Sequence, residues 1–188
     1  MQIASFILVN DRVLQRFVEQ LEYTLEQLPS PTVAFLNLVP MRLQELGVEH
    51  PISIPFNTLF PMDQVAGRQH ERLLSVFEDP AQPTRLGRLA QSARAPIYYV
   101  PPGRVLEFAR ELERLSFTPH IRPDDVETLL GKRLASNEMP AAIQLLEAFR
   151  HDLHQVYRDA AYQRKGVVVL IVNQPEEFSS EEGFPRAA

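Results

Sequence analysis

The stretch GVVVLIV at residues 166–172 is the most apolar run of the chain and has no polar alternation. A strand that is apolar on both faces has to be covered on both faces, which is typical of the centre of a parallel or mixed sheet. The long helical pattern of residues 140–164 leads directly into this stretch. We therefore predict a central strand here, with the rest of the chain packed around it.

Three further apolar stretches have the length of buried strands, at residues 2–9, 32–39 and 96–100. Residues 51–56 contain two prolines and indicate a short edge strand, because proline is tolerated at the edges of sheets and not at their centres. Elsewhere, segments with apolar residues every three or four positions or with helix-starting signals are typical of helices. These helices are predicted at residues 11–28, 63–77, 85–94, 104–115, 123–135 and 140–164.

Strands separated by helical segments predict a single α/β domain over residues 1–173. Its sheet is expected to have about four strands, to be mainly parallel or mixed, and to carry helices on both faces. A chain of 188 residues is long enough for one good hydrophobic core. Residues 174–188 are acidic and contain Phe178 and Phe184, so we expect a flexible tail there.

Composition excludes several functions. Cysteine is absent, which excludes disulfides, thiolate nucleophiles and cysteine-based metal sites. The formal net charge is −5, whereas nucleic-acid-binding domains are usually basic. No Walker loop, dinucleotide-type glycine fingerprint or Gly-x-Ser-x-Gly motif occurs, so we expect no cofactor. The first residues do not have the pattern of a secretory signal and no run reaches the length of a membrane span, so the expected location is the cytoplasm.

Polar residues follow the predicted strands. In a parallel sheet the carboxyl ends of the strands line one crevice, where α/β proteins bind ligands. The residues just beyond these ends that can bind an anionic ligand are Asp11, Arg42, Arg104 and Asn173. The alternative is that Asp11 only caps a helix and that the arginines are surface residues.

A second candidate site lies on the longest predicted helix. Glu147, His151 and His154 are four and three residues apart, so they share one face of the helix. Two imidazoles and a carboxylate at this spacing can hold a metal ion or act as an acid–base pair. Because this face lies opposite the apolar stripe, an ordinary solvated surface is the alternative interpretation.

The function expected from these observations is that of a non-catalytic protein-binding factor, such as an adaptor, an assembly factor or a subunit of a complex. The acidic tail is the predicted docking segment, through Phe178 and Phe184. The alternative is an enzyme or a small-ligand-binding protein that uses the strand-end crevice. A weaker alternative is a nucleic-acid-associated factor that uses the arginines between Arg68 and Arg94. The partner is expected to be another protein, with a homo-oligomer as a further alternative, and binding to a membrane is not expected.

Overall fold

The computed structural model of the chain describes residues 2–54, 84–93, 95, 97–115, 122–130 and 133–173. The strands in this part of the chain are β1 (Gln2–Val9), β2 (Gly47–Ile54), β3 (Ile97–Val100) and β4 (Gly166–Asn173). The helices are α1 (Asp11–Glu26), α2 (Pro31–Glu45), α3 (Arg85–Ser92), α4 (Pro102–Arg114), α5 (Pro123–Leu130) and α6 (Met139–Tyr162).

The strands form one four-stranded sheet in the order β2-β1-β4-β3. β4 contains the GVVVLIV stretch and lies in the interior of the sheet between β1 and β3, as predicted. Every neighbouring pair is antiparallel, so the prediction of a mainly parallel or mixed sheet was wrong. Val9 pairs with both Gly47 and Gly166 at one end of the sheet, which we call the Val9 end. Val100 pairs with Val167 at the same end.

The sheet is covered by helices on both faces, which confirms that part of the prediction. Val167 and Val169 point to one face and pack with buried residues of α4, α5 and α6. Val168 and Leu170 point to the other face and pack with buried residues of α1, α2 and α3. Because successive side chains of a strand point to opposite faces, two apolar layers require an uninterrupted apolar strand. Full burial of each such side chain stabilises the fold by roughly 1.5–3 kcal/mol.

Residues 32–39, predicted as a buried strand, lie in helix α2, so that prediction was wrong. Pro31 occupies the first position of this helix, where its fixed φ is favourable and no N–H is needed. Phe35, Val39 and Leu43 are buried and follow one another at intervals of four residues, which is helical spacing. Pro40 lies inside the helix without ending it. The predicted strand stopped at this proline, which made the apolar run look short enough for a strand.

The presence of α2 explains why β2 is antiparallel to β1. α1 leaves the Val9 end directly after β1, and α2 returns the chain to that end directly before β2. Two successive helices therefore bring β2 into the sheet in the direction opposite to β1. A single helix between two strands would have given the parallel arrangement that we expected.

The remaining boundaries differ little from the predictions. The predicted edge strand is β2, which begins four residues earlier, and β3 forms the other edge instead of lying inside the sheet. The helices predicted from residues 85, 104, 123 and 140 are α3, α4, α5 and α6. The helix predicted at residues 63–77 and the tail predicted at residues 174–188 lie outside the described residues.

Candidate functional site

Three of the four predicted strand-end residues lie near the Val9 end of the sheet. Asp11 and Arg104 lie in the first turns of α1 and α4, which follow β1 and β3. Arg42 lies in the last turn of α2, shortly before β2. Asn173 instead pairs with Gln2 at the opposite end, seven residues along β4 and so about 23 Å away. The structure therefore does not bring Asn173 to the other three. In an antiparallel sheet the carboxyl ends of neighbouring strands lie at opposite ends of the sheet.

The two arginines form ion pairs within their own helices. The Nη1 atom of Arg42 lies 2.7 Å from a carboxylate oxygen of Glu45. The Nε atom of Arg104 lies 2.6 Å from Glu107, and its guanidinium carbon lies 5.6 Å from the centre of the Phe108 ring. All three contacts connect residues three or four positions apart, as is usual on helix surfaces. They do not point to a ligand that the two arginines share.

Asp11 is held by a tyrosine that sequence reasoning had not connected with it. The Tyr99 hydroxyl donates a hydrogen bond of 2.5 Å to Asp11 Oδ1, and Gln15 Nε2 donates a longer one of 3.4 Å to the same oxygen. Burial, together with this hydrogen bond, raises the pKa of Tyr99 above its ordinary value of 10.0. The phenol therefore remains protonated at neutral pH and acts as a donor, which is a structural role and not that of a base.

The predicted metal or acid–base face lies on α6. Glu147 is half-buried and accepts a hydrogen bond of 2.7 Å from Arg150 Nε. His151 is exposed and His154 is half-buried. In the described part of the chain, no three histidine or acidic side chains are grouped so that they can hold a metal ion. The contact with Arg150 gives Glu147 a role in packing that needs no metal.

Several other predicted features lie outside the described residues. These include the docking residues Phe178 and Phe184 and three of the arginines in the weaker nucleic-acid interpretation, Arg68, Arg72 and Arg94. Of the two arginines of that set that are described, Arg85 forms ion pairs with Glu19 and Glu22 of α1, and Arg88 is exposed.

The most distinctive surface in the described residues is the outer side of α2. This helix exposes four large apolar side chains, more than any other described helix or strand: Val33 at 58%, Leu36 at 44%, Leu38 at 49% and Met41 at 51%. The first charged residue of α2 is Arg42 in its last turn, whereas α1 carries a charged residue in every turn. A helix that is apolar all round is normally buried all round. We call these four residues the outer α2 surface.

A pocket of about 370 Å³ opens beside the first turn of α2. It lies between the last turns of α1 and α3 and the start of α2. Leu25, Phe35, Leu89 and Ala93 supply its apolar lining, while Glu22, Glu26, Thr32 and Ser92 are polar members of the wall. Pro31 and Thr32 line the pocket and are exposed, so its mouth reaches the surface where α2 begins.

Sequence reasoning missed the outer α2 surface because it assigned three of its four residues, Val33, Leu36 and Leu38, to a strand buried on both faces. A signal for the surface was nevertheless present. Ser30 followed by Pro31 is a typical start of a helix, and the next charged residue after Glu26 is Arg42. Treated as a helix, this stretch has more apolar residues than one buried face can use.

Known proteins give no further guidance on this surface. In comparisons with them, no protein family, curated protein or solved structure matches the chain. Within the described residues, none of the helices combines the length and the apolar character that crossing a bilayer requires. The functional conclusion therefore has to come from the residues of the chain itself.

Proposed function

We propose that this protein is a non-catalytic protein-binding factor, and that its docking surface is the outer α2 surface. The observation that carries the proposal is the exposure of Val33, Leu36, Leu38 and Met41 on a helix whose opposite side is already buried in the core. Large exposed apolar side chains concentrated on one helix are characteristic of protein–protein contacts. The role fits an adaptor, an assembly factor or a subunit of a complex.

The occupant that fits this surface is the apolar face of a helical segment from another protein. The four side chains of this surface carry no charge, so an apolar partner surface fits it. An amphipathic helix presents apolar residues at intervals of three and four, which matches a docking site built along one helix. A homodimer through α2 alone would use four side chains from each copy. Stable interfaces of standard size use about 20–30 residues a side.

A photo-crosslinking experiment tests the proposal. The full-length chain, with a benzophenone amino acid at position 38, is irradiated in cells that express it naturally, and the crosslinked peptides are sequenced by mass spectrometry. The expected product is one apolar, helix-forming peptide from another protein. Val33→Glu and Met41→Glu should abolish it, because each places a charge in an apolar contact.

The controls use the layer of helices on the other side of the sheet. Leu145 of α6 is exposed to 51%, as much as Met41, so Leu145→Glu introduces the same charge at a matched position and should leave the crosslink unchanged. All three variants are surface changes and should alter the free energy of unfolding by no more than about 0.5 kcal/mol. Crosslinks only to peptides of this chain would overturn the proposal. Isotope-labelled mixtures then distinguish a second copy from an internal segment.

A further inference from the structure

We infer that the pocket between α1, α2 and α3 receives a positively charged side chain, a lysine or an arginine, from the helical segment that docks on α2. This inference rests on the proposed function and specifies the chemistry of the partner. The pocket and the outer α2 surface adjoin at the first turn of α2, where Pro31 and Thr32 line the pocket and Val33 is exposed. One segment can therefore contact both.

The inner part of the pocket is suited to an aliphatic chain. Phe35 is almost fully buried, Leu25 and Ala93 are buried, and Leu89 is half-buried, so they form an apolar lining. Lysine and arginine side chains bury their methylene groups against such surfaces and keep the charged end near water. A volume of about 370 Å³ is at the small end of the range of ligand sites.

The wall and its surroundings are acidic. Glu22 and Glu26 belong to the wall, and no basic residue is among the described residues that line the pocket. Arg85 lies just outside the lining and forms ion pairs with both Glu22 and Glu19. Its Nη1 atom lies 3.4 Å from a carboxylate oxygen of Glu19. Glu26 forms no ion pair with any described residue. Two of the three carboxylates therefore share one guanidinium and Glu26 has no such partner among the described residues, which leaves room for a second cation.

Two of the three helix ends around the pocket also favour a cation. α1 and α3 both end at the pocket, and neither has a basic residue in its last turn. The end of a helix carries a partial negative charge, which attracts cations. The start of α2 carries the opposite partial charge, so two helix ends favour a cation and one opposes it. Glu26 lies in the last turn of α1, where a carboxylate is unfavourable for the helix itself. A ligand cation would relieve this repulsion.

The inference is tested on the full-length protein by nuclear magnetic resonance titration with two small probes. n-Butylguanidinium has the stem and charge of arginine, and n-butylurea has nearly the same shape without charge. The charged probe should shift resonances of Leu25, Phe35 and Leu89, and its affinity should exceed that of the urea at least about threefold. In Glu26→Gln its affinity should fall about threefold to tenfold, while that of the urea should not change.

The controls separate this inference from the proposed function. Glu113→Gln removes an exposed carboxylate from the last turn of α4 on the other layer and should change neither affinity. Met41→Glu should abolish the crosslink to the partner while leaving butylguanidinium binding intact. Glu26→Gln should weaken the crosslink of the partner, whose peptide should contain a lysine or an arginine. Equal affinities for the two probes, or an unaffected Glu26→Gln variant, would refute the cation pocket and leave the docking surface standing.

Discussion

The hydrogen bond between Tyr99 and Asp11 connects β3 with the start of α1, although β3 and β1 are not neighbours in the sheet. Tyr99 lies on β3 and Asp11 follows β1, while β4 runs between them. The tyrosine reaches across β4 at Gly166, where an added Cβ atom would lie 2.5 Å from the Tyr99 hydroxyl oxygen and 2.6 Å from Cε2. Because glycine has no side chain, position 166 leaves the space that the Tyr99 ring occupies. The hydrogen bond to Asp11 connects β3, a strand of four residues at the edge of the sheet, to the start of α1.

Removal of the Tyr99 hydroxyl should weaken the fold without emptying the space of the ring. We expect Tyr99→Phe to lower the free energy of unfolding by about 1–3 kcal/mol, because a hydrogen bond to a charged group is lost. Urea denaturation measures this change. Tyr162→Phe removes the hydroxyl of a tyrosine that is exposed to 91% and should have no measurable effect. Equal stability of both variants would show that the Asp11 contact contributes nothing.

A methyl group at Gly166 should displace the Tyr99 ring. We expect Gly166→Ala to destabilise the protein by about 1–3 kcal/mol, because the added atom overlaps the ring. In a Tyr99→Ala background the same substitution should change stability far less, and the double-mutant cycle measures the difference. Gly103→Ala is the matched control, because nothing lies within 4 Å of its added Cβ and alanine favours the helix there. Additive effects of the Gly166 and Tyr99 substitutions would contradict the crossing.

The layers of this fold could be predicted from sequence, but the directions of the strands could not. The apolar faces of β4 require helices on both sides of the sheet. Burial on both faces does not indicate whether the neighbouring strands are parallel or antiparallel to β4. For β1 and β2, that information lay in the number of helices between them, which depends on residues 32–39. An apolar run of eight residues has no periodicity that distinguishes a buried strand from a buried helix. Because Pro40 was treated as the end of the segment, residues 32–39 were assigned to a strand, and the outer α2 surface was not recognised.

The partners of single side chains could not be predicted either. Asp11 follows a strand and starts a helix, which the sequence indicates, but its hydrogen bond to Tyr99 joins residues 88 positions apart. Such a contact depends on which strands are neighbours, and the order of the strands follows from packing between distant segments. The sequence for the same reason does not indicate that Arg150 donates a hydrogen bond to the carbonyl oxygen of Leu112, 38 positions away at the end of α4.

Two buried tyrosines should make the protein sensitive to alkali. Burial raises the pKa of Tyr157, and burial with the Asp11 contact raises that of Tyr99, both above 10.0. A tyrosine whose pKa is higher in the folded state than in the unfolded chain stabilises the fold. This contribution is fully present at pH values below the pKa of the unfolded chain. This stability is lost as the pH rises above about 10, where only the unfolded tyrosines ionise. Urea denaturation between about pH 8 and 11 measures the decline. Tyr99→Phe should make it shallower, and an unchanged slope would contradict the assignment.

The α6 face should not carry a stoichiometric metal ion. Glu147 is engaged by Arg150, which leaves His151 and His154 as the remaining groups of the predicted site. Two imidazoles with no third ligand grouped with them among the described residues are fewer than zinc sites normally use. Metal analysis of the purified protein and of a His151→Ala/His154→Ala double variant should give equal contents. A loss of one equivalent in the variant would restore the metal site.

Arg150 should stabilise the contact between α6 and α4. Its Nε donates to Glu147, and its Nη1 donates a hydrogen bond of 2.9 Å to the carbonyl oxygen of Leu112, close to the end of α4. Carbonyl groups in the last turn of a helix lack partners within the helix. We expect Arg150→Met, which keeps the aliphatic stem, to lower the free energy of unfolding by about 1–3 kcal/mol. Arg150→Lys should restore only part of the loss, because an ammonium group lacks the rigid fork that reaches both acceptors.

Arg158→Met on the exposed side of α6 is the control and should change stability by less than about 0.5 kcal/mol. Full recovery with lysine would show that charge alone, and not the geometry of the guanidinium, holds the two helices together.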